Sequence, residues 1–91
     1  MNSQRYRLII APTARRQLAE TLPEAVASAA YGFVVGPLHE NPHRVGKRLQ
    51  PPLNDRHSTR RGTYRVIYRI DDEELTVTVL TIVHRSDAYR R

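Results

Sequence analysis

Tyr64-Arg65-Val66-Ile67-Tyr68-Arg69-Ile70, followed after Asp71-Asp72-Glu73-Glu74 by Leu75-Thr76-Val77-Thr78-Val79-Leu80-Thr81-Ile82-Val83, decides the fold. In the first run the even positions are all apolar or aromatic, while the odd ones are Arg, Ile and Arg. A strand there packs one face and presents a largely basic one. The second run is dense in β-branched residues and lacks Gly and Pro, which predicts a long strand. The four acids between them form a polar turn, so the two strands pair as a hairpin. Gly62 separates this hairpin from a shorter strand around Arg56–Arg61.

Upstream, Tyr6-Arg7-Leu8-Ile9-Ile10-Ala11 predicts an opening strand that stops at Pro12, a residue with no N–H to give a ladder. From Pro12 the period changes: Ala14, Leu18 and Leu22 recur every four residues with Arg15, Arg16, Gln17 and Glu20 between them, as an amphipathic helix requires. Leu22-Pro23 breaks that helix, and a second opens at Pro23-Glu24 with Val26, Ala29, Ala30 and Phe33 at helical spacing. Gly36-Pro37 is expected to end it. Leu38–Leu53, interrupted by Pro42, Pro51 and Pro52, reads as irregular connection carrying short turns. The order is β-α-α-β-β-β with a C-terminal helical turn over Ser86–Arg91. A helical hairpin buries its apolar stripe only against one face of the sheet, which makes the expected fold an α+β two-layer sandwich with a mainly antiparallel sheet. Its other face stays open.

With 91 residues the chain is expected to form a single domain over residues 1–91. A domain this small buries only about 60–65% of the surface its unfolded chain exposes, so a functional site belongs on a surface or in a shallow groove. Cysteine is absent, which excludes a disulfide framework and thiolate metal sites. The apolar runs fall far short of the ~20 residues that span a bilayer, and the N-terminus has no signal-peptide pattern. A soluble, cytoplasmic protein with no membrane partner is expected.

The formal charge is +6, and fourteen of the fifteen cations are arginine, Lys47 being the exception. Guanidinium groups present planar forks that bind phosphate bidentately and stack on bases. A sequence pI near 10.5 makes a polyanion the leading partner class. The charge is uneven. Between His43 and Arg69 lie Arg44, Lys47, Arg48, Arg56, Arg60, Arg61, Arg65 and Arg69 against the single acid Asp55, and several are interleaved with strand-forming residues.

Conventional catalytic constellations are missing. His39 and His43 have ligand spacing, but Pro42 lies between them. Ser58, His57 and Asp55 lack a nucleophile elbow, and there is no Gly-rich phosphate loop. No metal site or cofactor is expected. Attack on RNA needs less, because the 2′-hydroxyl beside the scissile phosphate is itself the nucleophile. A protein then has to hold the backbone in line, assist proton transfer and stabilise charge on the phosphoryl oxygens. A sheet surface bearing arginines and a tyrosine suits that task; a phosphate-binding face without chemistry is the alternative.

The ordered set Arg60-Arg61-Gly62-Thr63-Tyr64-Arg65-Val66-Ile67-Tyr68-Arg69-Ile70 and His84-Arg85-Ser86-Asp87-Ala88-Tyr89-Arg90 resembles the RelE/ParE superfamily of bacterial toxin–antitoxin toxins. The opening strand and helix, the break at Pro23 and Asn41-Pro42-His43-Arg44-Val45-Gly46-Lys47-Arg48-Leu49 resemble its RelE branch, in an actinobacterial flavour. The resemblance implies a ribosome-dependent endoribonuclease (mRNA interferase) that cleaves mRNA in the A site, inhibits translation and is blocked by a RelB-like antitoxin.

By the same resemblance Arg65 and Arg85 stabilise the transition state, and Tyr89 stacks on or orients the nucleotide. Arg44, Lys47, Arg48, Arg56, Arg60 and Arg61 are candidate RNA-binding residues. The sequence departs from the enterobacterial pattern where two lysines precede the glycine: the matching residues are Arg56 and Ser58. That leaves the base unassigned among His57, His84, Arg60 and Arg61. A histidine is the better proton acceptor, and His84 is preferred because it abuts Arg85. Two other functions stay open, a ParE-like toxin that binds DNA gyrase and a family member that only binds antitoxin or RNA.

Overall fold

The computed structural model describes residues 5–85. Strand β1 (Arg7–Ile10) leads into helix α1 (Pro12–Arg16), which widens into a π-helical segment over Gln17–Thr21. Leu22 turns extended, at φ −76° and ψ 147°, and the chain re-enters helix as α2 (Glu24–Phe33). After α3 (Pro42–Val45) come β2 (Lys47–Arg48), β3 (His57–Arg61), β4 (Tyr64–Asp71) and β5 (Thr76–His84). These strands form one sheet in the order β1-β5-β4-β3-β2, antiparallel except for the β1–β5 pair. Among the described residues no helix is long and apolar enough to cross a membrane.

The alternation in β4 does what its sequence dictates. Tyr64, Val66 and Tyr68 are buried, Arg65 and Arg69 are exposed, and Ile67 is half-buried between them. Ala14, Ala30, Phe33, Val34 and Leu38 from the helices and Leu22 from the bend between them close over Tyr64, Val66, Tyr68, Val77, Val79 and Ile82 from the sheet. This is the expected two-layer sandwich. Tyr68 is fully buried, and its hydroxyl donates to the Pro42 carbonyl oxygen at 2.6 Å, which anchors α3 to the sheet. A Cβ at Gly46 would collide with the Tyr68 hydroxyl oxygen and meet the Ser58 carbonyl at 2.8 Å, so this close approach requires glycine. Gly62, at φ +57°, supplies the left-handed residue of the two-residue β3–β4 turn.

Two expectations fail. Helix α2 does not stop at Gly36-Pro37: it widens into π-helical turns over Val34–Leu38, and the Asn41 N–H still bonds the Pro37 carbonyl at 3.0 Å. A widened turn accommodates a proline ring that an α-turn would reject. Burial of Val34 and Leu38 rewards the continuation. Nor is Leu38–Leu53 wholly irregular, since α3 and β2 form inside it. Lys47 pairs with Ser58 and Arg48 with His57 across the intervening loop, contacts that no local periodicity signals. The C-terminal helical turn expected over Ser86–Arg91 lies outside the described residues.

The edge of β5 is treated specially. β1 covers only Thr76 to Val79, and beyond it the Gln17 side chain takes over. Its Oε1 accepts from the Ile82 N–H at 2.7 Å, and its Nε2 donates to the Thr81 hydroxyl oxygen at 3.0 Å. A glutamine from the first helix thus stands in for a missing strand.

Candidate phosphate-binding concavity

Strand register assigns the faces. Arg60 lies opposite Arg65, and Arg65 opposite Val83, so all three residues share the face that the helices leave open. Past β5 the Arg85 N–H bonds the Thr63 carbonyl at 2.6 Å, which ties the end of the described chain to the β3–β4 turn. The result is a shallow concavity of about 540 Å³ lined by Arg60, Arg65 and Arg85, with Ile67 and Val83 as its apolar part and Gly62, Thr63 and Tyr64 at one end. No carboxylate lines it. Among the described residues, none of the three arginines is in an ion pair.

Three exposed guanidinium groups with no internal counter-ion have the chemistry to hold an anion with several oxygens. Like charges facing each other across strands are unfavourable for the fold. The Arg60–Arg65 pair therefore has no folding rationale, and an anion bound between the two would relieve the repulsion.

The structure separates the other candidates. Arg61 alternates to the helix side, where its guanidinium lies 4.5 Å from the centre of the Phe33 ring. Arg48 donates through Nη1 to the Asn54 carbonyl at 2.8 Å, and Arg56 contacts the Asp55 carboxylate at 3.8 Å. Arg44 is exposed on α3, and Lys47 is exposed on β2. His84 pairs in register with Tyr64, whose side chain is buried, so strand alternation gives His84 the face opposite Arg65 and it is not in the lining. Tyr89 lies outside the described residues. Ile67, Val83 and Thr63 were not singled out from the sequence. Ile67 carried a signal, as the apolar odd-numbered residue in β4.

His57 and Ser58, adjacent in sequence, alternate to opposite faces. His57 belongs to a second cluster at the far end of the sheet. It stacks on Tyr68 with ring centres 5.6 Å apart and meets the edge of His43 at 5.8 Å. His43 Nε2 lies 3.0 Å from both carboxylate oxygens of Asp72, and the Tyr6 hydroxyl donates to the same carboxylate at 2.5 Å. These contacts hold the Asp72 carboxyl below the usual carboxylate range, the Tyr6 bond first and His43 next. His57 is buried with no hydrogen-bond partner at Nδ1, and desolvation, then the nearby Arg48 and His43, lower its pKa. Burial pushes the Tyr68 hydroxyl up to about 12. His39 bonds elsewhere, through Nε2 to the Tyr6 carbonyl at 2.6 Å.

Comparison with known proteins gives the family and supports the fold. The chain is 49% identical over 85 residues to a Mycobacterium tuberculosis protein named Toxin RelE, covering 93% of this chain and 87% of that toxin. It is 48% identical over 86 residues to Toxin RelG of the same organism, covering 94% and 98%. The toxin–antitoxin complex RelBE2 from that organism contains a chain that superposes with a TM-score of 0.82 at 46% identity, over 88% of this chain and 98% of that one. The isolated E. coli RelE toxin, at 21% identity and a TM-score of 0.67 over 87% and 83%, shares the fold. The family described as the ParE toxin of type II toxin–antitoxin systems matches residues 6–89, nearly the whole chain. The protein accordingly belongs to that toxin family, in the RelE/ParE superfamily.

Proposed function

We propose that this toxin is a ribosome-dependent endoribonuclease that cleaves mRNA in the A site and is restrained by a RelB-like antitoxin in the cytoplasm. The observation that carries the reading is the meeting of Arg65 and Arg85, twenty residues apart, in one concavity without a carboxylate. The 2′-oxygen of the bound nucleotide attacks its own phosphorus, the P–O5′ bond breaks, and a 2′,3′-cyclic phosphate and a 5′-hydroxyl result. Arg65 and Arg85 take the charge that grows on the phosphoryl oxygens, with Arg60 on the flanking backbone. One well-aimed donor to such an oxygen is worth ~3–4 kcal/mol, so two guanidinium groups supply a substantial share of catalysis with no metal ion required. Tyr89 is the proposed stacking residue. The ribosome supplies the positioning that an open surface of this kind does not.

Removing both arginines tests this. An Arg65→Ala, Arg85→Ala protein is expected to lose mRNA cleavage, read by primer extension on ribosome-bound message, and to permit growth. Undiminished cleavage would overturn the assignment. The name of the matched family favours a second reading, a toxin that binds DNA gyrase. Inhibition of gyrase supercoiling by the wild-type protein, with message left intact, would establish that reading instead.

A further inference from the structure

Arg65 sits inside β4 with a strand on either side, so the sheet itself fixes its place in the concavity. Arg85 has no such frame. β1 pairs with β5 only as far as Val79, and the Gln17 side chain serves Thr81 and Ile82. From Val83 onwards the only strand partner of β5 among the described residues is β4, through the Arg65–Val83 and Tyr64–His84 pairs. The next rung falls beyond the start of β4. It is the 2.6 Å bond from the Arg85 N–H to the Thr63 carbonyl, and Thr63 belongs to the β3–β4 turn.

That turn is braced from the helix side. Arg61 and Tyr64 are the register pair that flanks it, and both reach α2. The Arg61 guanidinium lies 4.5 Å from the centre of the Phe33 ring, and the Tyr64 hydroxyl donates to the Ala29 carbonyl at 3.3 Å. Between them Gly62 stands at φ +57°, where an L side chain is strained, although a Cβ there would meet nothing within 4 Å. Glycine is needed at 62 for the handedness of the turn and not for room.

We infer that the Gly62-Thr63 turn is the positioning element for Arg85, a role that rests on the nuclease reading, in which both guanidinium groups meet one phosphate. The left-handed glycine sets the direction of the Thr63 carbonyl, and that carbonyl holds the backbone from which the Arg85 side chain enters the concavity beside Arg65. Gly62 offers the substrate no side chain; it acts through Arg85. A residue that drives position 62 to negative φ turns the carbonyl away, and Arg85 loses its rung while Arg65 keeps its strand. The two arginines therefore respond separately to a change that alters neither.

Full-length wild-type, Gly62→Ala and Gly62→Asn proteins are titrated with inorganic phosphate while nuclear magnetic resonance follows the Nε–Hε signals of Arg65 and Arg85. Asparagine tolerates positive φ and alanine does not. Each protein is then compared in single-turnover cleavage of ribosome-bound message. In the wild type both signals are expected to move with one midpoint. In Gly62→Ala only the Arg65 signal should move, and cleavage at saturating toxin should fall about 10²-fold, the cost of a misplacement on the order of 1 Å, with half-saturation unchanged. Gly62→Asn should stay close to the wild type in both measurements. A paired response kept in Gly62→Ala, equal losses in the alanine and asparagine proteins, or loss of both signals together as general loosening would give, would overturn the role of the turn, as would a wild type whose Arg85 signal ignores phosphate. Wild-type protein whose two arginines respond to phosphate but which leaves the message uncut would overturn the nuclease reading alone.

Discussion

Arg60 and Arg65 stand directly across from each other on β3 and β4, two exposed like charges in register at the rim of one concavity. Cross-strand repulsion of this kind costs a few tenths of a kcal/mol to about 1 kcal/mol. Arg60→Thr, which keeps a strand-forming residue, is expected to raise the denaturation midpoint at low salt slightly. The same change should weaken RNA binding and reduce the slope of log affinity against log salt by about 1, the signature of one lost phosphate contact. Binding titrations at several salt concentrations check this.

The Gly46–Tyr68–Pro42 contact anchors the segment that carries β2. Gly46→Ala puts a methyl group against the Tyr68 hydroxyl and the Ser58 carbonyl, with an expected loss of about 1–3 kcal/mol, typical of overpacking. Tyr68→Phe leaves the Pro42 carbonyl without its donor, for about 1–3 kcal/mol. Because the two changes act on one contact, urea denaturation of the double variant should show less than the sum.

Gln17 closes the bare edge of β5. Gln17→Leu keeps the size but strips the Ile82 N–H of its acceptor, an expected loss of about 1–2 kcal/mol. Hydrogen exchange at the Ile82 amide should accelerate beyond the change in its β4-paired neighbours. Unchanged protection there would mean that the glutamine contributes nothing to the edge.

Acid should act in two stages. His57 titrates lower in the folded protein than its unfolded value of 6.5, so the unfolded chain binds the extra proton first. Stability is whole above pH 6.5 and declines as the pH falls below it towards the folded value. Asp72 is likewise depressed below 3.8, so its contribution is present above that pH and fades only in stronger acid. His57→Phe, which keeps a ring against Tyr68, is expected to flatten the first decline and leave the second. Thermal melts between pH 7 and pH 3 distinguish them.

The hairpin was legible because period-two alternation in Tyr64–Ile70 leaves a single way to bury four even-numbered residues. Arg65 was legible for the same reason, as an odd-numbered cation in that strand. His84 shows the limit. Its adjacency to Arg85 made it attractive as a base, yet neighbours in a strand point to opposite faces, and register with Tyr64 gives it the other one. The pair Arg60-Arg61 divides in the same manner, one to the concavity and one to Phe33. Helix α2 ran through Gly36-Pro37 because burial of Val34 and Leu38 outweighed local stop signals.

What the amino-acid order determined alone was the set of strands and helices, the sandwich they must form and the cationic character of the uncovered face, since each follows from side-chain period and charge within a few residues. Only the tertiary structure decided which cations meet. Arg85 reaches Arg65 through a backbone bond to Thr63, and His57 withdraws into an aromatic cluster. Those outcomes depend on strand register and chain closure between residues far apart in sequence, and no local pattern encodes such distances.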